Sequence, residues 1–113
     1  MNIVITLPQH YDFGRYLAEQ AEAAAVGLAS NYRVSTAPKV RAGDRCYLVW
    51  HGSVRGWQQI NSVAIKPNGF TCQTTGKRWP PGTYIQRSGP FHRIEPIPMR
   101  GFRGWRYFEE ETK

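Results

Sequence analysis

The sequence predicts a small α+β domain, with one main N-terminal helix followed by a mostly antiparallel β-barrel. Three observations carry this. A β-branched opening stretch gives way to apolar residues spaced three and four apart. That period does not return after Asn31, and short apolar runs then follow at turn spacing to the end of the chain. A chain of 113 residues is expected to form one domain, here residues 1–108 with a short acidic tail at 109–113. Such a length buries a core without disulfides or metal. Hydrophobic content of 41% and aromatic content of 13% argue against disorder.

Ile3, Ile5 and Leu7 of the opening stretch share one face of a strand. Phe13, Leu17, Ala21, Ala24 and Leu28 then mark an amphipathic helix. Asp12 is its expected N-cap, and Gly27 with Ser30-Asn31 ends it. Arg33–Thr36 reads as a short strand and Cys46–Trp50 as a buried one, which turns at His51-Gly52-Ser53 into Val54–Ile60. Ser62–Lys66 and Phe70–Thr74 are expected as a hairpin about Pro67-Asn68-Gly69. Lys77–Gly82, which contains Pro80 and Pro81, reads as a loop. Tyr84–Arg87, Phe91–Ile97 and Phe102–Phe108 complete a set of six to eight short strands.

Charge narrows the function. Net charge is +7, and arginine outnumbers lysine 11 to 4. From Arg33 to Tyr107, 13 Lys or Arg residues stand against Asp44 and Glu95 alone, a balance of +11. Guanidinium groups bind phosphate bidentately and stack on planar rings, so this excess favours polyanions. Acids outside the helix and tail are too few for a paired-carboxylate hydrolase or a magnesium nuclease. His10, His51 and His92 lack partners at ligand spacing, and Cys46 and Cys72 form no metal motif. No metal and no cofactor is therefore expected. No apolar run approaches the roughly 18 residues of a membrane span, and no charged leader precedes the opening strand. The expectation is a cytoplasmic protein without a membrane partner and without a disulfide framework.

The triplet Arg-Gly-Trp occurs twice, at Arg55–Trp57 and Arg103–Trp105. In an extended strand Arg55 and Trp57 share a face, opposite Val54, Gly56, Gln58 and Ile60. By the same alternation Arg103, Trp105 and Tyr107 lie opposite Phe102, Gly104, Arg106 and Phe108. A base stacked on an indole, its phosphate held by the neighbouring guanidinium, is worth roughly 1–3 kcal/mol. Against this, tryptophans in small barrels are commonly core and arginines cover their rims. Lys77, Arg78 and Trp79 place two cations and an aromatic on a loop. Trp79 is either displayed there or folded back over the barrel end.

The segment Lys39–Trp50, followed by Gly52–Trp57, resembles the PUA-like superfamily, which includes ASCH and EVE domains. Gly43, Asp44, Arg45, the apolar run Cys46–Trp50 and Gly56 carry the resemblance. It implies a small pseudo-barrel flanked by short helices, and RNA binding or modified-base recognition. Some ASCH members are assigned hydrolytic activity, but the lysine–glutamate–arginine cluster of their active sites is not matched. Lys39, Arg41 and Arg45 are present without a glutamate beside them. The expected function is thus binding of RNA or single-stranded nucleic acid without catalysis. Phosphates would meet Lys39, Arg41, Arg45, Arg55, Lys77, Arg78 and Arg103, and bases would stack on Trp57, Trp79 or Trp105. The alternative is a basic inhibitor or adaptor gripping an acidic protein surface, since arginine and aromatics also make protein hot spots. An ASCH-like RNA hydrolase using His51 or His92 ranks third.

Overall fold

The computed structural model describes residues 1–72 and 76–110. In chain order it contains β1 (Ile3–Thr6), α1 (Phe13–Ala25), β2 (Ser30–Val34), β3 (Arg45–Trp50), β4 (Ser53–Lys66), β5 (Phe70–Thr71), β6 (Arg78–Trp79), β7 (Gly82–Pro98) and β8 (Trp105–Tyr107). Six strands form one curled sheet in the order β2-β7-β4-β3-β1-β8, and β5 and β6 pair as a separate ribbon. The pairings are antiparallel except that of β1 with β3, which is parallel. A mostly stranded domain with one helix and a half-barrel sheet is what the sequence pattern predicts in outline.

The helix starts where expected, because the Asp12 carboxylate accepts the Arg15 N–H at 3.1 Å. It ends sooner than the apolar period suggests. Gly27, at φ 73°, turns the chain so that its N–H reaches the Ala24 carbonyl at 3.2 Å and the Leu28 N–H reaches Ala23 at 2.8 Å. That pair of bonds is a Schellman stop, and Leu28 falls outside the helix. β2 begins at Ser30 rather than Arg33, because Ser30 already pairs with Arg87 of β7.

Two expected pairs of short strands are each one long strand. β4 runs unbroken through Asn61, and β7 runs through Gly89 and Pro90. Register shifts between Val54 and Gly56, Trp57 and Gln59, and Ile60 and Ser62 absorb the irregular residues and bend the sheet. The expected Ser62–Lys66/Phe70–Thr74 hairpin does not form. The turn at Pro67-Asn68-Gly69 is there, with the Gly69 N–H bonded to the Lys66 carbonyl at 3.1 Å. Lys66 nevertheless pairs with Gly82, and Phe70 pairs with Trp79. The aromatic contacts explain the choice: Phe70 stacks on Trp79 and meets Tyr84 edge-on at 4.9 Å. Part of the Lys77–Gly82 segment is accordingly strand β6, and Thr74 lies outside the described residues.

The sheet carries a core on each face. On one, Ile3, Ile5, Cys46, Leu48, Ile60 and Ile85 are buried beneath Phe13 and Tyr16 of α1. On the other, Val4, Tyr47, Val49 and Val54 pack with Trp57, Ile94, Ile97, Phe102 and Phe108. Polar bonds add to the seating of α1, the buried residues of the helix being Gln20 and Ala23. The Gln20 side-chain amide oxygen accepts from Ser30 and, at 3.3 Å, from Gln58, and the Tyr16 hydroxyl accepts from Arg87 at 2.9 Å. Burial beside Arg87 pushes the Cys46 thiol up to about 11, the guanidinium opposing the shift. Cys46 therefore acts as a small core residue rather than a nucleophile.

Candidate nucleic-acid interface

Arginines and rings meet closely on the sheet face away from α1. β3 and β4 pair Tyr47 with Trp57, and β4 and β7 pair Trp57 with His92. This register stacks the His92 ring on the indole, with centroids 4.1 Å apart and planes 22° apart. From β3, Arg45 lays its guanidinium carbon 4.0 Å from the same indole centroid. Arg45 and Tyr47 are two apart on one strand, and Arg45 also donates to the Tyr47 hydroxyl at 3.1 Å. With one terminal nitrogen engaged by Tyr47, the remaining N–H groups of a guanidinium stacked on a ring are left to donate to a phosphate.

Tyr47 anchors this assembly from beneath, being only 1% exposed. Its hydroxyl donates to the Glu110 carboxylate at 3.1 Å. Burial raises the phenol above its ordinary range, Glu110 adding to the rise and Arg45 opposing it. It thus remains a donor at neutral pH. A second stack of the same kind lies on this face, where Arg106 sits 4.3 Å from the Phe102 ring centroid. Both rings rest on the core of Val4, Tyr47, Val49 and Val54, which fixes them in place.

The other expected contact residues lie elsewhere. Arg55 occupies the bulge between Val54 and Gly56, and its Nε and a terminal nitrogen donate to the Trp50 and His51 carbonyls at 2.9 and 3.2 Å. The bulge also shifts the strand's phase, so that Val54 packs on the side of Trp57 rather than opposite it. Arg55 braces the β3–β4 turn. Trp105 is half-buried, and its indole N–H donates to the Thr36 carbonyl at 2.7 Å. Tyr107 accepts the Lys39 N–H at 3.0 Å, so β8 clamps the segment leading to Lys39. Lys39 and Arg41 are exposed. The Arg41 N–H donates to Asp44 at 2.7 Å, and this bond, with the terminal ammonium 3.0 Å away, holds the Asp44 carboxyl below its usual range.

Trp79 is folded back onto Phe70, with centroids 5.7 Å apart, while Arg78 donates to the Asn68 carbonyl. Lys77 is exposed beside them on the β5–β6 ribbon, and Arg103 is exposed next to Gly104. Of the ten residues singled out by sequence, Arg45 and Trp57 are brought into direct contact. His92, Arg106 and Phe102 join the face without having been assigned to it. The alternation Phe102, Arg106, Phe108 was a signal for two of them, whereas His92 is placed by a pairing remote in sequence. Among the described residues no group of three His, Cys, Asp or Glu side chains gathers to hold a metal. Comparison with family models, curated proteins and solved structures returns no match, so the site rests on its own geometry.

Proposed function

We propose that this protein binds RNA or single-stranded nucleic acid, without catalysis, on the sheet face away from α1. The observation that carries this reading is the Arg45–Trp57–His92 stack, a cation and two planar rings on a buried aromatic base. Arg45 and His92 already cover the two faces of the indole, so a base stacks on the exposed His92 ring that caps the stack, and Arg45 and Arg106 take the flanking phosphates. The surrounding positive charge speeds the encounter. A PUA-like relationship belongs to the same reading, supported by the Gly43-Asp44-Arg45 turn entering β3 and by Gly56 in β4.

Titration of a labelled oligouridine, read by anisotropy, tests it. If about three phosphates are gripped, affinity should fall roughly tenfold to thirtyfold between about 50 and 200 mM salt. Duplex DNA and heparin of equal charge should bind more weakly, since neither offers a free base face. Equal binding to all three would reduce the surface to bare charge and contradict the proposal. Failure to bind with recovery of a stoichiometric acidic protein after nuclease treatment would favour the adaptor reading.

A further inference from the structure

The last described residues lie against the proposed binding face. Phe108 meets the Tyr47 ring edge-on, with centroids 4.8 Å apart, and its N–H donates to the Asn2 carbonyl at 3.0 Å. This brings Glu109 and Glu110 beside the site. The Glu109 carboxylate accepts from the Asn2 backbone N–H at 3.4 Å and from its side-chain amide at 3.3 Å. The Asn2 side-chain oxygen in turn accepts the Arg45 backbone N–H at 2.8 Å. Glu110 accepts from Tyr47, whose hydroxyl accepts from the Arg45 guanidinium. Both carboxylates are therefore one side chain removed from Arg45. Neither is neutralised by an ion pair among the described residues.

We infer that Glu109 and Glu110 form an autoinhibitory contact, an anionic segment docked beside the nucleic-acid site that weakens phosphate binding at Arg45. The inference rests on the binding reading above and adds its regulation. Two negative charges held beside Arg45 repel an arriving phosphate, and Glu110 also competes for the guanidinium through the Tyr47 hydroxyl. Such an effect is electrostatic and largely surface-exposed, so salt screens it. A strong polyanion wins the site at low tail occupancy, whereas weak or non-specific ones are turned away.

The test compares Glu110→Gln and Glu109→Gln/Glu110→Gln with Glu22→Gln, which removes the same single charge from the exposed side of α1. Glutamine keeps an acceptor for the Tyr47 hydroxyl and for Asn2, and a thermal melt checks that packing survives. The probe is the labelled oligouridine used above, at about 50 and about 300 mM salt. The double variant should bind roughly threefold to tenfold more tightly at the lower salt, with the gain closing at the higher. Glu22→Gln should change affinity less than Glu110→Gln. Equal affinities for Glu110→Gln and Glu22→Gln, or a gain that ignores salt, would overturn the inference while leaving RNA binding intact. Absence of binding by every form, wild type included, would instead remove the binding reading and the inference with it.

Discussion

Replacing Trp57 by alanine should lower affinity for a short single-stranded RNA by about tenfold to a hundredfold, because the His92 ring that carries the base loses the indole beneath it, a stacked base being worth roughly 1–3 kcal/mol. The indole also packs against the Arg45 guanidinium at 4.0 Å and the His92 ring at 4.1 Å, so its removal frees both neighbours. Trp57→Phe retains a platform and should recover most of the binding. Arg45→Lys should not substitute for arginine, because a flexible ammonium neither stacks nor grips a phosphate bidentately. Trp57 is half-buried over Val49 and Val54, so the alanine variant also loses some stability, less than the roughly 3–5 kcal/mol typical of a fully buried aromatic. A melt therefore accompanies each titration. Trp79→Ala supplies the contrast. Its indole packs on Phe70 and Tyr84 at the β5–β6 ribbon, so stability should fall while RNA affinity holds.

The second large effect is structural. Gly56→Ala should destabilise the fold by at least about 3 kcal/mol, read as a melting temperature lower by roughly 10–20 °C. A Cβ at position 56 would stand 2.1 Å from the His92 carbonyl oxygen and 2.6 Å from the Phe91 ring. Neither yields cheaply. The carbonyl is backbone in a paired strand, and Phe91 is wedged edge-on against Phe13 of α1 at 5.8 Å. The displaced residue is the one stacked on Trp57, so residual folded protein should also bind RNA less well. Gly104, the centre of the other Arg-Gly-Trp, behaves differently. It adopts φ 75°, and no atom beyond its own chain neighbours lies within 4 Å of where its Cβ would stand. Alanine there costs only backbone strain, about 1 kcal/mol. A Gly56→Ala protein as stable as Gly104→Ala would show that β4 and β7 do not approach as described.

Those two glycines show how far the sequence was legible. The repeated triplet is real as a string, yet its halves do unrelated work: one makes room for a neighbouring strand, the other bends the chain into β8. Local chemistry was readable where the cause was local. Asp12 caps α1, Gly27 stops it, and the run Cys46–Trp50 is a buried strand, because each rests on residues within one turn. Misreadings arose where distant pairing decides. Ser62–Lys66 has the composition of a hairpin arm, but residues 82–86 outcompete Phe70 for its edge. Arg55 and Trp57 alternate properly on paper, and a bulge against β7 breaks the phase. The Arg45–Trp57 contact spans two strands, and His92 enters from a third, across the register shift that takes up Gly89 and Pro90. No spacing in the chain announces that stack. The arginine excess pointed to the kind of ligand, while the register chose which two of ten residues stand together.

The central claim, that the stack built on Trp57 is the base-binding platform, is tested most directly by following the indole N–H resonances of the four tryptophans during titration with oligouridine. The Trp57 signal, with the His92 ring protons, should shift progressively and saturate. Trp105, bonded to Thr36, and Trp79, folded onto Phe70, should stay near their free positions. Saturating shifts at Trp79 or Trp105 with Trp57 unmoved would contradict the claim.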